Sequence, residues 1–260
     1  VYSYRQGEHP RAGQIGVAVA KEHLGGNKKL PVVIFIHGGG WKKGDKDQLA
    51  WQCIRYAKAG YAAATVSYRL VQEAPFPACV QDVMQAVRYM KSLAPELPID
   101  PDEIGLQGYS AGAHLALLVA LAADSEAFHS GACPEYDSTV KCVFAISAPT
   151  DFVERREREG TLKMLKEEQN ENLRFLESIS PAYYVTAGQV PILMVHGTED
   201  ELVPRYHYEH FQWRCGQAGV DNFRLITHPG GGHMFFFKKR ETYQPMMDEF
   251  FEEHLKVLRP

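Results

Sequence analysis

Short apolar segments rich in β-branched residues alternate along the chain with longer segments of helical periodicity, and this alternation constrains the fold more than any other feature. Continuous apolar strands separated by helices are typical of a parallel sheet whose two faces are both covered. The predicted strands cover residues 32–37, 62–69, 103–109, 142–148, 192–196 and 223–227, and the predicted helices cover 48–59, 77–93, 111–123, 205–218 and 239–258. The pattern predicts an α/β protein with a mostly parallel, doubly wound sheet.

The 260 residues fit one domain, because α/β domains commonly run to roughly 200–250 residues. No repeat, low-complexity tract or linker divides the chain, so we predict a single domain over residues 1–260. Residues 151–180 interrupt the alternation, since they are rich in Glu, Arg and Lys and carry leucines at helical spacing. We predict a small helical insertion there and favour solvated surface helices over a lid, because charged helix faces are common.

The net charge of −4 argues against nucleic acid or an anionic membrane as a partner, because both select a basic surface. No segment approaches the roughly 20 apolar residues that span a bilayer. Residues 1–11 contain no apolar signal-peptide core and do not begin with Met, so the protein could be cytoplasmic or secreted after loss of a leader. The oligomeric state is left open.

The cysteines and histidines do not form a metal-binding pattern. The five cysteines are scattered without a C-x-x-C pair, which favours free thiols over a disulfide framework. There is no H-E-x-x-H motif and no Cys/His cluster at ligand spacing, so we predict no metal.

A G-x-S-x-G motif, GYSAG at residues 108–112, lies between a predicted strand and a predicted helix. A nucleophile elbow requires this context, because its serine stands at the apex of a tight turn from strand to helix. Glycines on both sides remove Cβ atoms that would clash, and the following helix N-terminus favours negative charge near the serine. The motif predicts that Ser110 is a nucleophile rather than a serine in an ordinary loop.

A second glycine-rich motif, HGGGW at residues 37–41, follows the first predicted strand. It is not a phosphate-binding loop, because the P-loop lysine is absent, and the dinucleotide G-x-G-x-x-G pattern is absent too. Backbone N–H groups of Gly39 and Gly40, with that of Ala111, could instead converge on a carbonyl oxygen as oxyanion donors. His37 is interpreted as a structural brace of this loop.

A serine hydroxyl needs a base to become a good nucleophile. His233, which follows three glycines after the last predicted strand, is the preferred base because those glycines let the backbone bend toward Ser110. His228 is the alternative, although its position at the end of a strand is typical of a buried or rim histidine.

The acid that orients the base should follow the preceding strand. Three consecutive carboxylates, Glu199, Asp200 and Glu201, stand there, and Asp200 is the preferred candidate. The alternative interpretation makes these carboxylates helix N-terminal charges that favour the macrodipole. Asp151, after another strand, is the second candidate acid, although capping the helix that follows is its expected role.

Taken together, these motifs resemble those of the α/β-hydrolase superfamily, in particular the serine esterases that carry an HGGGW loop. The resemblance is closer to bacterial acetyl and feruloyl esterases acting on plant polysaccharide than to hormone-sensitive-lipase-like esterases. The matching pieces run in the family order, from HGGGW (37–41), SYRL (67–70) and PFPA (75–78) through DPD (100–102), GYSAG (108–112) and SP (180–181) to HGTED (196–200), VP (203–204) and GGH (231–233).

The resemblance implies roles for individual residues and requires no cofactor. The implied triad is Ser110, Asp200 and His233, and the implied oxyanion donors are Gly39, Gly40 and Ala111. The Trp41 N–H is an alternative donor, and Trp41 and Tyr109 are also expected to contact the substrate. Arg69 is expected to be structural, with Asp82 on the following helix as its ion-pair partner.

The resemblance also implies an activity, the hydrolysis of carboxylic esters. The expected substrates are small acyl esters, such as acetyl or feruloyl groups on carbohydrate, because a modest insertion suggests an open site. Two alternatives stay open. The same triad could cleave amides, as in an arylformamidase or a peptidase, or the scaffold could belong to a non-catalytic binding protein.

Overall fold

The computed structural model describes residues 2–3, 12–160 and 162–256. Its strands are β1 (Tyr2–Ser3), β2 (Gln14–Ala18), β3 (Leu30–Ile36), β4 (Ala62–Val66), β5 (Ile99–Tyr109), β6 (Cys142–Ile146), β7 (Ile192–Gly197) and β8 (Phe223–His228). They form one sheet in the order β1-β2-β4-β3-β5-β6-β7-β8. Strands β3 to β8 run parallel, and β1 and β2 pair antiparallel. The predicted mostly parallel α/β sheet is confirmed.

Helices cover both faces of this sheet. They are α1 (Ala50–Lys58), α2 (Ala78–Ser92), α3 (Ala111–Leu121), α4 (Phe152–Glu159), α5 (Glu167–Asn170), α6 (Leu173–Ser178), α7 (Tyr206–Ala218), α8 (Phe235–Lys238) and α9 (Arg240–His254). Successive side chains of a strand point to opposite faces. Val32 and Ile34 accordingly join one core with α2, α3 and α7, whereas Val33 and Phe35 join a second core with α1 and α9.

The sequence prediction missed the antiparallel edge of the sheet. Strand β2 pairs with β4, with Ile15 opposite Val66. Its sequence, QIGVA, has no continuous apolar run, because Gly16 interrupts its centre. Ile15 is its one fully buried residue. A strand that buries so little carries almost none of the periodic signal by which strands are recognised, and the edge strand β1 beyond it has only two residues.

Two predicted elements were too long. The predicted helix 239–258 corresponds to α9, which ends at His254 because Leu255 adopts an extended conformation (φ −118°, ψ 138°); residues 257–260 lie outside the described part. The predicted strand 62–69 ends at Val66. Beyond it Arg69 leaves the sheet and its Nε donates to Asp82 at 2.9 Å, the ion pair predicted from the sequence.

The segment 151–180 folds into the short helices α4, α5 and α6. Leu162, Leu165 and Leu176 are buried in the core that contains α2, α3 and α7, whereas Leu173 is exposed. Phe152, the first residue of α4, is fully buried in the same core. The segment is therefore anchored by apolar packing while its charged side chains remain on the outside.

None of the helices in the described part of the chain is long and apolar enough to cross a membrane. All five cysteines carry free thiols, and four of these are buried. The expectation about a signal-peptide core falls mainly on residues 4–11, which lie outside the described residues.

Candidate active site

Ser110 lies at the turn between β5 and α3. Its backbone has φ 54° and ψ −121°, a conformation that non-glycine residues rarely adopt. The Ser110 N–H donates to the Ile146 carbonyl at 2.8 Å, which ties the turn to the neighbouring strand β6. Such strain persists only where surrounding structure enforces it, and it occurs often at functional sites.

Two glycines allow α3 to approach the sheet closely enough to form this turn. A Cβ atom at Gly108 would lie 2.3 Å from the Gly112 carbonyl oxygen, and one at Gly112 would lie 2.1 Å from the Ile36 carbonyl oxygen. Both obstacles are backbone atoms, which cannot swing aside. The spacing of glycines in the motif thus follows from the contact between β3, β5 and α3.

Replacing Gly112 with alanine is expected to lower the free energy of unfolding by about 3 kcal/mol, because the new methyl group must displace backbone. Gly216→Ala is the matched control, since Gly216 lies in α7 and a Cβ added there would meet open space. The Gly216→Ala variant should leave the free energy of unfolding unchanged or raise it by up to about 1 kcal/mol. Urea denaturation of both variants measures the difference, and equal losses would refute the steric argument.

His233 and Asp200 complete a continuous line of hydrogen bonds with Ser110. The Ser110 hydroxyl lies 2.9 Å from His233 Nε2, and His233 Nδ1 lies 2.7 Å from Asp200 Oδ2. Ser110 is 9% exposed and the Asp200 side chain is fully buried. With Nδ1–H donating to the carboxylate, Nε2 is left to accept the serine proton. The structure therefore brings together the three residues predicted from the sequence.

The Asp200 carboxylate is fixed by backbone donors as well as by the imidazole. Its Oδ1 accepts hydrogen bonds from the N–H groups of Leu202 at 3.0 Å and Val203 at 2.9 Å. Burial by itself would raise the pKa of Asp200, but the hydrogen bonds from His233 and Val203 outweigh burial and hold this pKa below its usual value. A carboxylate that stays ionised stabilises a protonated imidazole beside it.

The loops that carry the acid and the base are bonded to each other. The Glu199 N–H donates to the Gly231 carbonyl at 2.9 Å, and the Thr198 N–H donates to the His228 carbonyl at 3.0 Å. A Cβ at Gly197 would lie 2.1 Å from the Gly231 oxygen, so the two loops touch without an intervening side chain. This contact fixes the distance between acid and base.

The alternative candidates lie in other environments. His228 Nδ1 is hydrogen-bonded to the Tyr243 hydroxyl at 2.7 Å, so this imidazole joins β8 to α9. Asp151 is buried, caps α4 through the Glu154 N–H at 3.0 Å and pairs with His210. The neighbours of Asp200, Glu199 and Glu201, point into solvent.

The HGGGW loop borders the same cavity as Ser110. Gly39 and Gly40 have φ values of 114° and 60°, and Trp41 has 59°, so this loop follows a path that favours glycine. The N–H groups of Gly39, Gly40 and Ala111 make no hydrogen bond within the described part of the chain. Gly39, Gly40, Trp41 and Tyr109 line, with Ser110 and His233, a cavity of about 410 Å³.

Two histidines hold the loop from behind. His37 stacks on Tyr68 with ring centroids 4.3 Å apart, and its Nδ1 lies 2.7 Å from the Gly38 carbonyl, in keeping with the predicted brace. His114, on α3, accepts the Trp41 indole N–H at 3.2 Å and donates from Nε2 to the Ile179 carbonyl at 2.8 Å. Burial lowers the pKa of His114 to about 3, so this imidazole is neutral at pH 7.

Sequence reasoning missed His114, although it was visible as one polar side chain in the apolar run of α3. The two side chains expected to contact substrate are also partly structural. The Trp41 indole is 4% exposed and packs between Phe76 and Phe152. The Tyr109 hydroxyl donates to the His233 carbonyl at 3.2 Å, and burial raises its pKa, so it remains a donor at neutral pH.

Comparison with families of known proteins agrees with this fold. The BD-FAE family model matches residues 22–214, which is most of the chain. The chain belongs to the BD-FAE family. The dienelactone hydrolase family model matches residues 176–257, the part of the BD-FAE chain that carries Asp200 and His233.

Individual relatives of the BD-FAE chain are esterases. Esterase LipQ of Mycobacterium tuberculosis is 26% identical over 222 residues, covering 82% of this chain and 52% of that protein. The chain spans about half the length of the curated relatives it matches. A truncated carbohydrate esterase from gut microbiota superposes with a TM-score of 0.82 at 25% identity, covering 97% of this chain and 94% of that one. A propionate-bound esterase of Thermogutta terrifontis superposes with a TM-score of 0.78 at 27% identity, covering 95% of this chain and 90% of that one. The α/β-hydrolase fold is therefore confirmed.

Proposed function

We propose that this BD-FAE chain is a serine carboxylic ester hydrolase with Ser110 as nucleophile, His233 as general base and Asp200 as the orienting acid. The observation that carries the proposal is the unbroken line of hydrogen bonds from Asp200 through His233 to Ser110. Nucleophile, base and orienting group in contact are the signature of activated-serine chemistry. The family match and the esterases among its relatives support the same activity.

The first step forms an acyl-enzyme. The Ser110 Oγ attacks the ester carbonyl carbon while His233 Nε2 takes the hydroxyl proton. The carbonyl oxygen becomes an oxyanion, and collapse of the tetrahedral intermediate breaks the bond to the alcohol oxygen. His233 then returns its proton to that oxygen, so the alcohol leaves neutral. Asp200 stabilises the imidazolium that exists between these two proton transfers.

The second step releases the acid. A water molecule attacks the acyl-enzyme carbonyl while His233 Nε2 removes its proton, and the Ser110 oxygen leaves and recovers that proton. In both steps the backbone N–H groups of Gly39, Gly40 and Ala111 hold the oxyanion, with the Trp41 N–H as an alternative donor. Each such donor contributes about 3 kcal/mol to the transition state. The three preferred donors have no partner among the described residues, which leaves them available for a ligand.

The substrates that we propose are short-chain acyl esters, such as acetyl esters, or feruloyl esters, including those of plant carbohydrate. The cavity of about 410 Å³ is at the small end of the range for ligand pockets. Tyr109 and Trp41 border it, and Tyr109, the less buried of the two, would face the ester groups. The solved Thermogutta terrifontis esterase has butyrate-bound and propionate-bound forms, which supports short acyl chains.

Hydrolysis of a panel of esters tests this proposal. Nitrophenyl acetate and butyrate should be hydrolysed with a kcat/KM at least tenfold above that of a long-chain nitrophenyl ester, because a small cavity excludes long chains. Acetylated xylan and methyl ferulate separate the acetyl from the feruloyl specificity, and an acetyl nitroanilide tests amide cleavage. Preference for the long chain would refute the short-chain assignment, and an absence of ester hydrolysis would refute the function.

A further inference from the structure

The cavity next to Ser110 has a cationic wall. Two of its lining residues, Lys43 and Arg155, are positively charged, and no Asp or Glu is among the described residues that line it. The whole chain carries a net charge of −4, so the sign of this wall is opposite to that of the protein. A cavity lined by one sign of charge attracts ligands of the opposite sign.

Arg155 reaches the cavity from α4, outside the motifs that carry the proposed reaction. Its Nε donates to Glu159 at 2.8 Å, one turn further along the helix, and its side chain is 19% exposed. Within the described residues its terminal nitrogens have no partner, whereas Arg156 and Arg158 use theirs to pair with Glu171 and Glu154. Glu159 thus fixes the guanidinium and leaves its outer N–H groups free to bind.

Lys43 also lines the cavity, and it follows the HGGGW loop in the chain. Its N–H donates to the Gly39 carbonyl at 3.2 Å, so its position is tied to the proposed oxyanion donors. It is exposed and forms no ion pair in the described part of the chain, unlike Lys46, which pairs with Asp47 at 2.8 Å. Asp200, the buried carboxylate beside His233, already accepts hydrogen bonds from His233, Leu202 and Val203.

We infer that the preferred ester carries a carboxylate, which binds to Arg155 and Lys43 while Ser110 attacks the ester carbonyl. This inference rests on the proposed function and narrows its substrate class to anionic esters. A guanidinium with free terminal N–H groups can hold a carboxylate through two parallel hydrogen bonds. Charged hydrogen bonds of this kind correspond to roughly 10- to 100-fold in kcat/KM. Arg155 is therefore a specificity-determining residue.

Matched pairs of esters test the inference with the charge on either side of the scissile bond. Para-acetoxybenzoate against para-acetoxybenzamide places the carboxylate on the alcohol side, and monomethyl terephthalate against methyl para-carbamoylbenzoate places it on the acyl side. The readout is the ratio of kcat/KM for the charged ester to that for its neutral partner. The wild type should give a ratio of at least about ten in one of the pairs.

Arg155→Gln is expected to lower the ratio of kcat/KM for the charged ester to kcat/KM for the neutral ester roughly 10- to 100-fold. Lys43→Gln should lower this ratio less, because an exposed charge is screened. Arg158→Gln is the control, since Arg158 lies on the same helix but pairs with Glu154 away from the cavity. It should keep the wild-type ratio. The ratio is insensitive to partial misfolding, which lowers both rates together.

The outcomes separate this inference from the proposed function. Hydrolysis of neutral esters without a preference for charged ones, or a ratio that Arg155→Gln does not change, would overturn the inference alone. If the wild type hydrolysed no ester of either kind, the proposed function would fall and the inference with it.

Discussion

Ser110→Ala is expected to lower kcat for nitrophenyl acetate by about 10⁴-fold or more. Without the hydroxyl no acyl-enzyme forms, and only binding and the oxyanion donors remain to assist attack by water. The fold should persist, because alanine meets the same backbone strain at φ 54° and the residue 110 N–H keeps its bond to Ile146. Steady-state kinetics with thermal unfolding of the same samples measures both effects.

Ser92→Ala serves as the matched control, since Ser92 is the last residue of α2 and its hydroxyl donates to the Tyr89 carbonyl at 2.8 Å. Its kcat should stay within about twofold of wild type, in the range of surface substitutions. Near-normal turnover in Ser110→Ala would show that another residue supplies the nucleophile. A loss of folded protein in that variant would be visible as a lower unfolding temperature.

Asp200→Asn is expected to lower kcat by about 10³- to 10⁴-fold. The asparagine oxygen can still accept from the Leu202 and Val203 N–H groups, so the turn should keep its shape. The neutral amide no longer stabilises a protonated His233, and an amide N–H facing Nδ1 favours the wrong tautomer. The rate should fall through kcat, with a much smaller change in KM.

Asp151→Asn is the control for this substitution, because Asp151 is also a buried carboxylate paired with a histidine, His210. It should destabilise the protein while leaving kcat within a few-fold of wild type, since His210 is not bonded to Ser110. Comparing the two variants therefore separates the effect of Asp200 on catalysis from the loss of stability that follows removal of a buried carboxylate. A larger loss of kcat in Asp151→Asn than in Asp200→Asn would reverse the assignment of the acid.

The parts of this site that depend on residues adjacent in the chain could be predicted from the sequence. The turn at Ser110 needs glycines at fixed spacing, and the structure shows the backbone atoms that each Cβ would strike. The parallel strands were visible because burial on both faces makes them continuously apolar. Chain order then placed His233 and the acidic loop at the same edge of the sheet as Ser110.

Contacts that follow neither from a motif nor from chain order could not be predicted from the sequence. Three carboxylates follow β7, and only the turn geometry decides that Asp200 faces inward while its neighbours face solvent. The bond from Trp41 to His114 joins residues 73 positions apart. Arg155 looked like one more charge on a solvated helix, yet tertiary packing of α4 carries it to the cavity.

Covalent labelling with a fluorophosphonate, followed by mass spectrometry of the digested protein, shows directly whether Ser110 is an activated nucleophile. We expect one phosphonyl group on Ser110, no label at that position in Ser110→Ala, and much slower labelling in His233→Ala, because the imidazole must take the serine proton. A label on a different residue, or a Ser110 that reacts no faster than ordinary serines in the chain, would contradict the assignment of Ser110 as nucleophile.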